Sequence, residues 1–169
     1  MTRGGHRGEL RRSTHITAAG AEALRRELDW LWRVKRPEVT RAVAEAAAMG
    51  DRSENAEYIY GKKQLREIDR RLRYLGKRLD EVTVVRDTPD DMDRIYFSAW
   101  FEVEDEAGDR HRYRIVGSDE IDTACGWISL DSPMARAVLR KGVDDAIRVQ
   151  TPNGLREYTV TGVWYAGQD

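Results

Sequence analysis

Between Lys62 and Leu79 the chain reads KKQLREIDRRLRYLGKRL, and within it Leu65, Ile68, Leu72, Leu75 and Leu79 recur at alternating steps of three and four. This is the a and d seam of a coiled coil, one apolar stripe along a helix. Tyr58 extends the row upstream. Further upstream, Leu24, Leu28 and Leu31 begin a matching seam that passes through Lys35 and Glu38 and shifts to Val39, Ala42, Val43 and Ala46. The shift falls beside Pro37 and predicts a kink or register change there. Between the seams lies Ala47-Ala48-Met49-Gly50-Asp51-Arg52-Ser53-Glu54-Asn55, in which a glycine ends one helix and small polar residues start the next. Residues 16–82 are therefore expected to form an antiparallel helical hairpin with an acidic tip at 50–55. Arms of about 30 residues would project about 45 Å.

After Val82 the pattern changes. Thr88-Pro89-Asp90-Asp91-Met92-Asp93 is acidic and has no heptad period, so residues 83–93 read as a linker. Ile95 to Glu104 and Arg110 to Val116 read as strands about the turn Asp105-Glu106-Ala107-Gly108-Asp109, and Trp127 to Leu130 as a short third strand. Ser132-Pro133 has the form of an N-cap followed by proline in the first helical turn, opening a short helix through Leu139. Ala146 to Gln150 and Arg156 to Tyr165 flank the turn Thr151-Pro152-Asn153-Gly154. The fold class is thus α+β: a helical hairpin followed by an antiparallel sheet with one helix over residues 94–169.

Composition narrows the function. The 169 residues carry 29 basic and 30 acidic side chains, a formal charge of -1 that hides local extremes. No run approaches the roughly 20 apolar residues of a membrane span, and the start has no apolar signal core, so a cytoplasmic protein without membrane attachment is expected. One cysteine, Cys125, and three scattered histidines offer neither an internal disulfide nor a zinc-type cluster. Residues 1–15, with Arg3, Arg7, Arg11 and Arg12, read as a basic flexible tail.

The tip carries the most informative chemistry. Asp51 and Glu54 stand three residues apart, which fits a capping box, each side chain satisfying free amides of the second helix. It also fits a partial site for a hard cation such as magnesium, whose other ligands would come from elsewhere. The returning helix is basic at Lys62, Lys63, Arg66, Arg70, Arg71, Arg73, Lys77 and Arg78, which suits a polyanion or, with pairs such as Glu67–Arg71 and Asp69–Arg73, a solvated surface. Trp30, Trp32, Trp100, Trp127 and Trp164 are expected to fill cores and the base of the seam, and Cys125 to be a small buried or inert thiol. No autonomous active-site signature is present.

Several motifs together resemble the bacterial Gre transcript cleavage factors. They are the tip from Met49 to Tyr58, Leu31-Trp32-Arg33, Arg36-Pro37-Glu38-Val39-Thr40, the run from Lys62 to Leu79, HRYRIVGSDEI from His111 to Ile121, and ISLDSPMARAVL from Ile128 to Leu139. The resemblance spans about Ile16 to Tyr165. It implies a coiled-coil hairpin and an FKBP-like domain that docks at the rim of the RNA polymerase secondary channel while the finger enters it. It further implies an accessory factor, not an enzyme, that helps the polymerase cleave its own backtracked RNA at the extruded 3′ end. By the same resemblance Asp51 serves a weakly held Mg2+ shared with the polymerase, with no cofactor held alone, and Glu54 the attacking water. Gly50, Ser53 and Asn55 shape the tip; Arg52, Lys62, Lys63, Arg66, Arg70 and Arg73 meet RNA or the channel wall; Ser132 and Pro133 belong to the docking surface. The expected state is a monomer, associated with the nucleoid through the polymerase. The sequence departs from the family pattern in a longer tail before Ile16 and in Asp122-Thr123-Ala124-Cys125-Gly126-Trp127, which replaces a more basic stretch. A channel-binding regulator without cleavage, and an independent magnesium nuclease, are the competing readings.

Overall fold

Helix α1 (Ala18–Trp30) leads through a π-helical turn (Leu31–Lys35) into α2 (Arg36–Ala48), and α3 (Ala56–Glu81) returns along both. The computed structural model describes residues 12–51, 54–86 and 88–166. The arms are antiparallel: Glu27 meets Arg71, Arg36 meets Asp69, Val43 meets Gly61, and Ala46 meets Asn55. Leu24, Leu31, Val39 and Ala46 are buried on the first arm, and Gly61, Ile68 and Leu75 on the second. Intervals on the second arm are seven residues throughout, whereas the first arm needs eight between Leu31 and Val39. The π turn supplies that extra residue. Arg36 N–H bonds Leu31 O, five residues back, one turn before Pro37, whose missing N–H and bulky ring would crowd an ordinary helical turn. The register change expected at Pro37 is therefore a widened turn just upstream of it. Ala42 and Glu38 fall on the exposed side of the seam.

At Gly61 the arms approach closely: a Cβ there would sit 2.6 Å from Val43 Cγ2. Two ion pairs tie the arms together lower down: Arg71 grips Glu27 through two bonds of 2.7 and 2.8 Å, and Arg36 Nε meets Asp69 Oδ1 at 2.8 Å. Arg71 and Asp69 thus reach across the seam, where the sequence suggested pairs along one helix.

The hairpin unit spans Ala18–Val82, two residues shorter at its start than expected. Strand β1 (His15–Thr17) belongs with the globular unit, where it pairs in parallel with β2 (Thr83–Val85), so residues 83–85 are strand and not linker. Ile16, fully buried, and the bond from Thr83 N–H to Thr14 O hold this pair, and the Glu120 carboxylate accepts from the amide and hydroxyl of Thr17 and the amide of Gly117.

The remaining strands form one sheet in the order β5-β4-β3-β7-β6: β3 (Trp100–Asp105), β4 (Arg110–Val116), β5 (Trp127–Ser129), β6 (Ala146–Thr151) and β7 (Gly154–Trp164). Pairing is antiparallel except for β4 with β5, so the sheet is mixed where a wholly antiparallel one was expected. Residues 95–99 do not join β3, although Ile95, Phe97 and Ala99 are buried as an alternating strand would bury them. Ser98 takes φ 72°, and Ala99 N–H turns back to Tyr96 O, so this stretch lines the core as a bend. Phe101, Val103, Ile115 and Val160 meet Ala135 and Val138 of α4 (Pro133–Val138) in the core. Tyr165 closes it, its buried hydroxyl donating to Arg94 O and accepting from Tyr96 N–H. Among the described residues, no helix is long and apolar enough to cross a membrane.

A bulge between Glu102 and Val103 brings Thr161 onto Glu102, whose carboxylate also binds Arg112 at 2.8 Å. These bonds, Arg112 first and Thr161 second, hold the Glu102 carboxyl below its ordinary value of 4.5. As pH falls, the unfolded chain then takes up this proton before the folded one does. The contribution is full above the ordinary value and lost as pH drops through the lower folded one. Glu102→Gln is expected to flatten the acid limb of the thermal midpoint below about pH 5; an unchanged limb would exclude this carboxylate as its source.

Two glycines of α3 give a paired prediction. Gly61→Ala is expected to lower the thermal midpoint, since overpacking against Val43 costs about 1–3 kcal/mol against the roughly 1 kcal/mol gained in helix propensity. Gly76→Ala, whose Cβ would meet nothing within 4 Å, is expected to raise it. Far-ultraviolet circular dichroism on heating measures both.

Candidate functional site

The tip is built by one side chain that serves both helices. Asn55 is the N-cap of α3: its Oδ1 accepts from Tyr58 N–H at 3.1 Å, while its Nδ2 donates to Ala46 O of α2 at 2.7 Å. The same amide therefore satisfies an orphan donor of α3 and adds a second donor to Ala46 O, which also accepts from Met49 N–H at 3.1 Å at the end of α2. Met49 closes α2, and Gly50 follows with φ 150°, a conformation that side chains disfavour.

This arrangement overturns the capping-box reading of Asp51 and Glu54. With the cap at Asn55, the helix begins at Ala56, and both acids lie in the turn before it. The Glu54 amide bonds Asp51 O at 3.3 Å, and both residues are exposed. Asn55 was expected only to shape the tip; its capping role was available in the sequence, since asparagine ahead of an Ala-Glu-Tyr helical start is a strong N-cap signal. Arg52 and Ser53 lie outside the described residues, as do residues 1–11 of the basic tail.

Magnesium takes oxygen ligands, keeps several waters, and is commonly held by one or two protein carboxylates. Asp51 and Glu54 fit such a partial donor set. No cluster of three or more His, Cys, Asp or Glu side chains suited to a metal occurs among the described residues.

From this acidic end the charge reverses along α3. Lys62, Lys63, Arg66, Arg70 and Arg73 are all exposed and recur at helical spacing on the face away from the seam. Two residues counted with them separate from that face: Arg71 is committed to Glu27, and Arg78 is buried. Lys77 shares the face but approaches Glu81 at 3.7 Å.

Other expectations resolve individually. Trp30 and Trp32 are 50% and 60% exposed and fill no core, since they flank the buried Leu31 on either side; Arg36 lies over the Trp32 ring. Trp100 stacks on Trp164, and Trp127 lies under Arg114, all half-buried on the sheet. Ser132 caps α4 by accepting from Ala135 N–H at 3.2 Å, and Pro133 beside it is exposed. Cys125 is exposed, not buried, and the Asp122 carboxylate pushes its thiol pKa up, which disfavours the reactive thiolate.

Comparison with known proteins agrees with this architecture. Residues 14–84 match the family model "Transcription elongation factor, N-terminal", and residues 89–165 match "Transcription elongation factor, GreA/GreB, C-term". The chain belongs to the GreA/GreB family of transcription elongation factors. Within that family it is 57% identical over 152 residues to Transcription elongation factor GreB of Xanthomonas axonopodis pv. citri, covering 89% of this chain and 90% of the relative. It is 56% identical over 150 residues to GreB of Pseudomonas aeruginosa, covering 89% of each chain, and 52% identical over 156 residues to GreB of Haemophilus ducreyi, covering 92% of this chain and 96% of that one.

Asn55→Ala is expected to lower hairpin stability by about 1 kcal/mol, read as a fall in the thermal midpoint. Asn55→Asp, which keeps the acceptor toward Tyr58 and loses only the donor toward Ala46, should fall less. Equal midpoints for Asn55→Ala and wild type would show that the cap lies elsewhere.

Proposed function

We propose that this chain binds RNA polymerase through its globular unit, passes the hairpin into the secondary channel, and stimulates the polymerase to cleave backtracked RNA so that elongation resumes. The observation that carries the reading is the division of work at the tip, where Asn55 holds both helices and leaves two exposed acids outside the cap. Membership of a transcription elongation factor family, with relatives named GreB, supports the same partner.

In this reading the protein is an accessory factor whose acids complete a site belonging to the polymerase. When bound there, Mg2+ would stabilise developing charge on the attacking and leaving oxygens of the phosphodiester. Asp51 would hold that ion weakly, and Glu54 would orient the attacking water and accept its proton. Gly50 and Asn55, with Ser53 by the family resemblance, would shape the tip that presents the acids. The face formed by Lys62, Lys63, Arg66, Arg70 and Arg73, with Arg52 at the tip, would meet the phosphates of the extruded strand or the channel wall, contacts that give affinity without reading sequence. On the globular unit, exposed Pro133 beside the Ser132 cap is the proposed docking point. The seam is satisfied within one chain, which suits action as a monomer.

The test uses purified polymerase halted in a backtracked state with end-labelled RNA, comparing wild type and Asp51→Asn at equal bound occupancy. Wild type is expected to release a 3′ fragment, and Asp51→Asn to do so about 100-fold more slowly or not at all. No release with either protein, while both bind and alter transcription, would instead assign the channel-regulator reading. Hydrolysis of naked RNA by the purified chain would assign an independent nuclease.

A further inference from the structure

The acidic tip and the basic face do not abut directly; two large apolar side chains stand between them. Ile59 and Tyr60 lie in the first turns of α3, at 51% and 68% exposure. Ile59 is three and four residues ahead of Lys62 and Lys63, so it continues the basic face toward the tip, and Tyr60 flanks that face three residues ahead of Lys63. Neither packs into the seam, where Gly61 occupies the buried position beside Val43.

We propose that Tyr60 is a base-stacking contact for the extruded RNA strand, seated between the phosphates on the basic face and the bond cut at the tip. The inference rests on the cleavage reading above and names a further contact to the same substrate. A single strand offers two chemistries at once: phosphates, which suit the exposed cations Lys62, Lys63 and Arg66, and flat base faces, which suit an exposed ring. Tyr60 stands five residues beyond the Asn55 cap, about 7 Å along the helix axis, or about two nucleotides of a stacked strand. The extruded strand runs from the cut bond toward its 3′ end, so this places Tyr60 beside the second nucleotide past the bond, which is the 3′-terminal one in a complex backtracked by two nucleotides. Stacking accepts any base, as a factor acting on arbitrary transcripts requires. Ile59, next to it, would cover the ribose or the base edge.

The experiment combines two protein variants with two RNAs. Complexes backtracked by two nucleotides carry either a natural 3′-terminal nucleotide or an abasic one, and 3′-fragment release is timed with wild type, Tyr60→Ala and Tyr60→Phe at equal polymerase occupancy. On natural RNA, Tyr60→Ala is expected to slow release about 5- to 100-fold, and Tyr60→Phe to stay within about twofold of wild type. On abasic RNA, wild type should slow by a similar factor and Tyr60→Ala should lose nothing further, because base and ring act as one contact. Tyr60→Ala is also expected to keep the wild-type thermal midpoint, since the ring packs against no core. Wild-type rates for Tyr60→Ala on natural RNA, or the same fractional loss on both RNAs, would overturn the stacking role while leaving the cleavage reading intact. Absence of release by wild type on natural RNA would overturn both.

Discussion

The tip depends on one amide. Asn55 donates to the last turn of α2 and accepts from the first turn of α3, so a single side chain caps the second helix and ties it to the end of the first. Its position decides what the neighbouring acids can do. An N-cap at Asp51 would have placed it at the start of the second helix. With the cap four residues later, Asp51 and Glu54 occupy the turn itself, exposed at the end of the hairpin.

Placing that turn requires the arms to stay in register along their whole length. A strict heptad on α3 faces a first arm interrupted by proline, and the π turn at Leu31–Lys35 absorbs the mismatch with one added residue. Gly61 then lets the arms close against Val43 near the tip, while Glu27–Arg71 and Arg36–Asp69 join them lower down. Outward-facing positions are left to cations and to a few exposed rings, which on the proposed reading meet the transcript.

The hairpin was legible because an apolar period is a long-range statement repeated many times, and Leu24, Leu31, Ile68 and Leu75 all obey it. Features that depend on one bond or on a distant partner were not legible in the same way. Proline predicted a disturbance but not the π turn upstream of it, because either a kink or an inserted residue restores packing. The alternation of Ile95, Phe97 and Ala99 looks like a strand, yet the positive φ of Ser98 bends the chain while burying the same side chains. Pairing of β1 with β2 was hidden because it joins residues nearly seventy positions apart in short segments without a pattern of their own. At the tip, Asp51, Glu54 and Asn55 are all competent caps by residue type, and only the backbone chose among them.

On the proposed reading the two acids divide the chemistry, with Asp51 toward the metal and Glu54 toward water. The Mg2+ dependence of stimulated cleavage tests it most directly, measured for wild type, Asp51→Asn and Glu54→Gln at saturating factor on one backtracked complex. The account predicts that raising Mg2+ restores much of the rate lost by Asp51→Asn and little of that lost by Glu54→Gln. Identical Mg2+ profiles for all three, or rescue of neither variant with a wild-type apparent affinity for the ion, would contradict it.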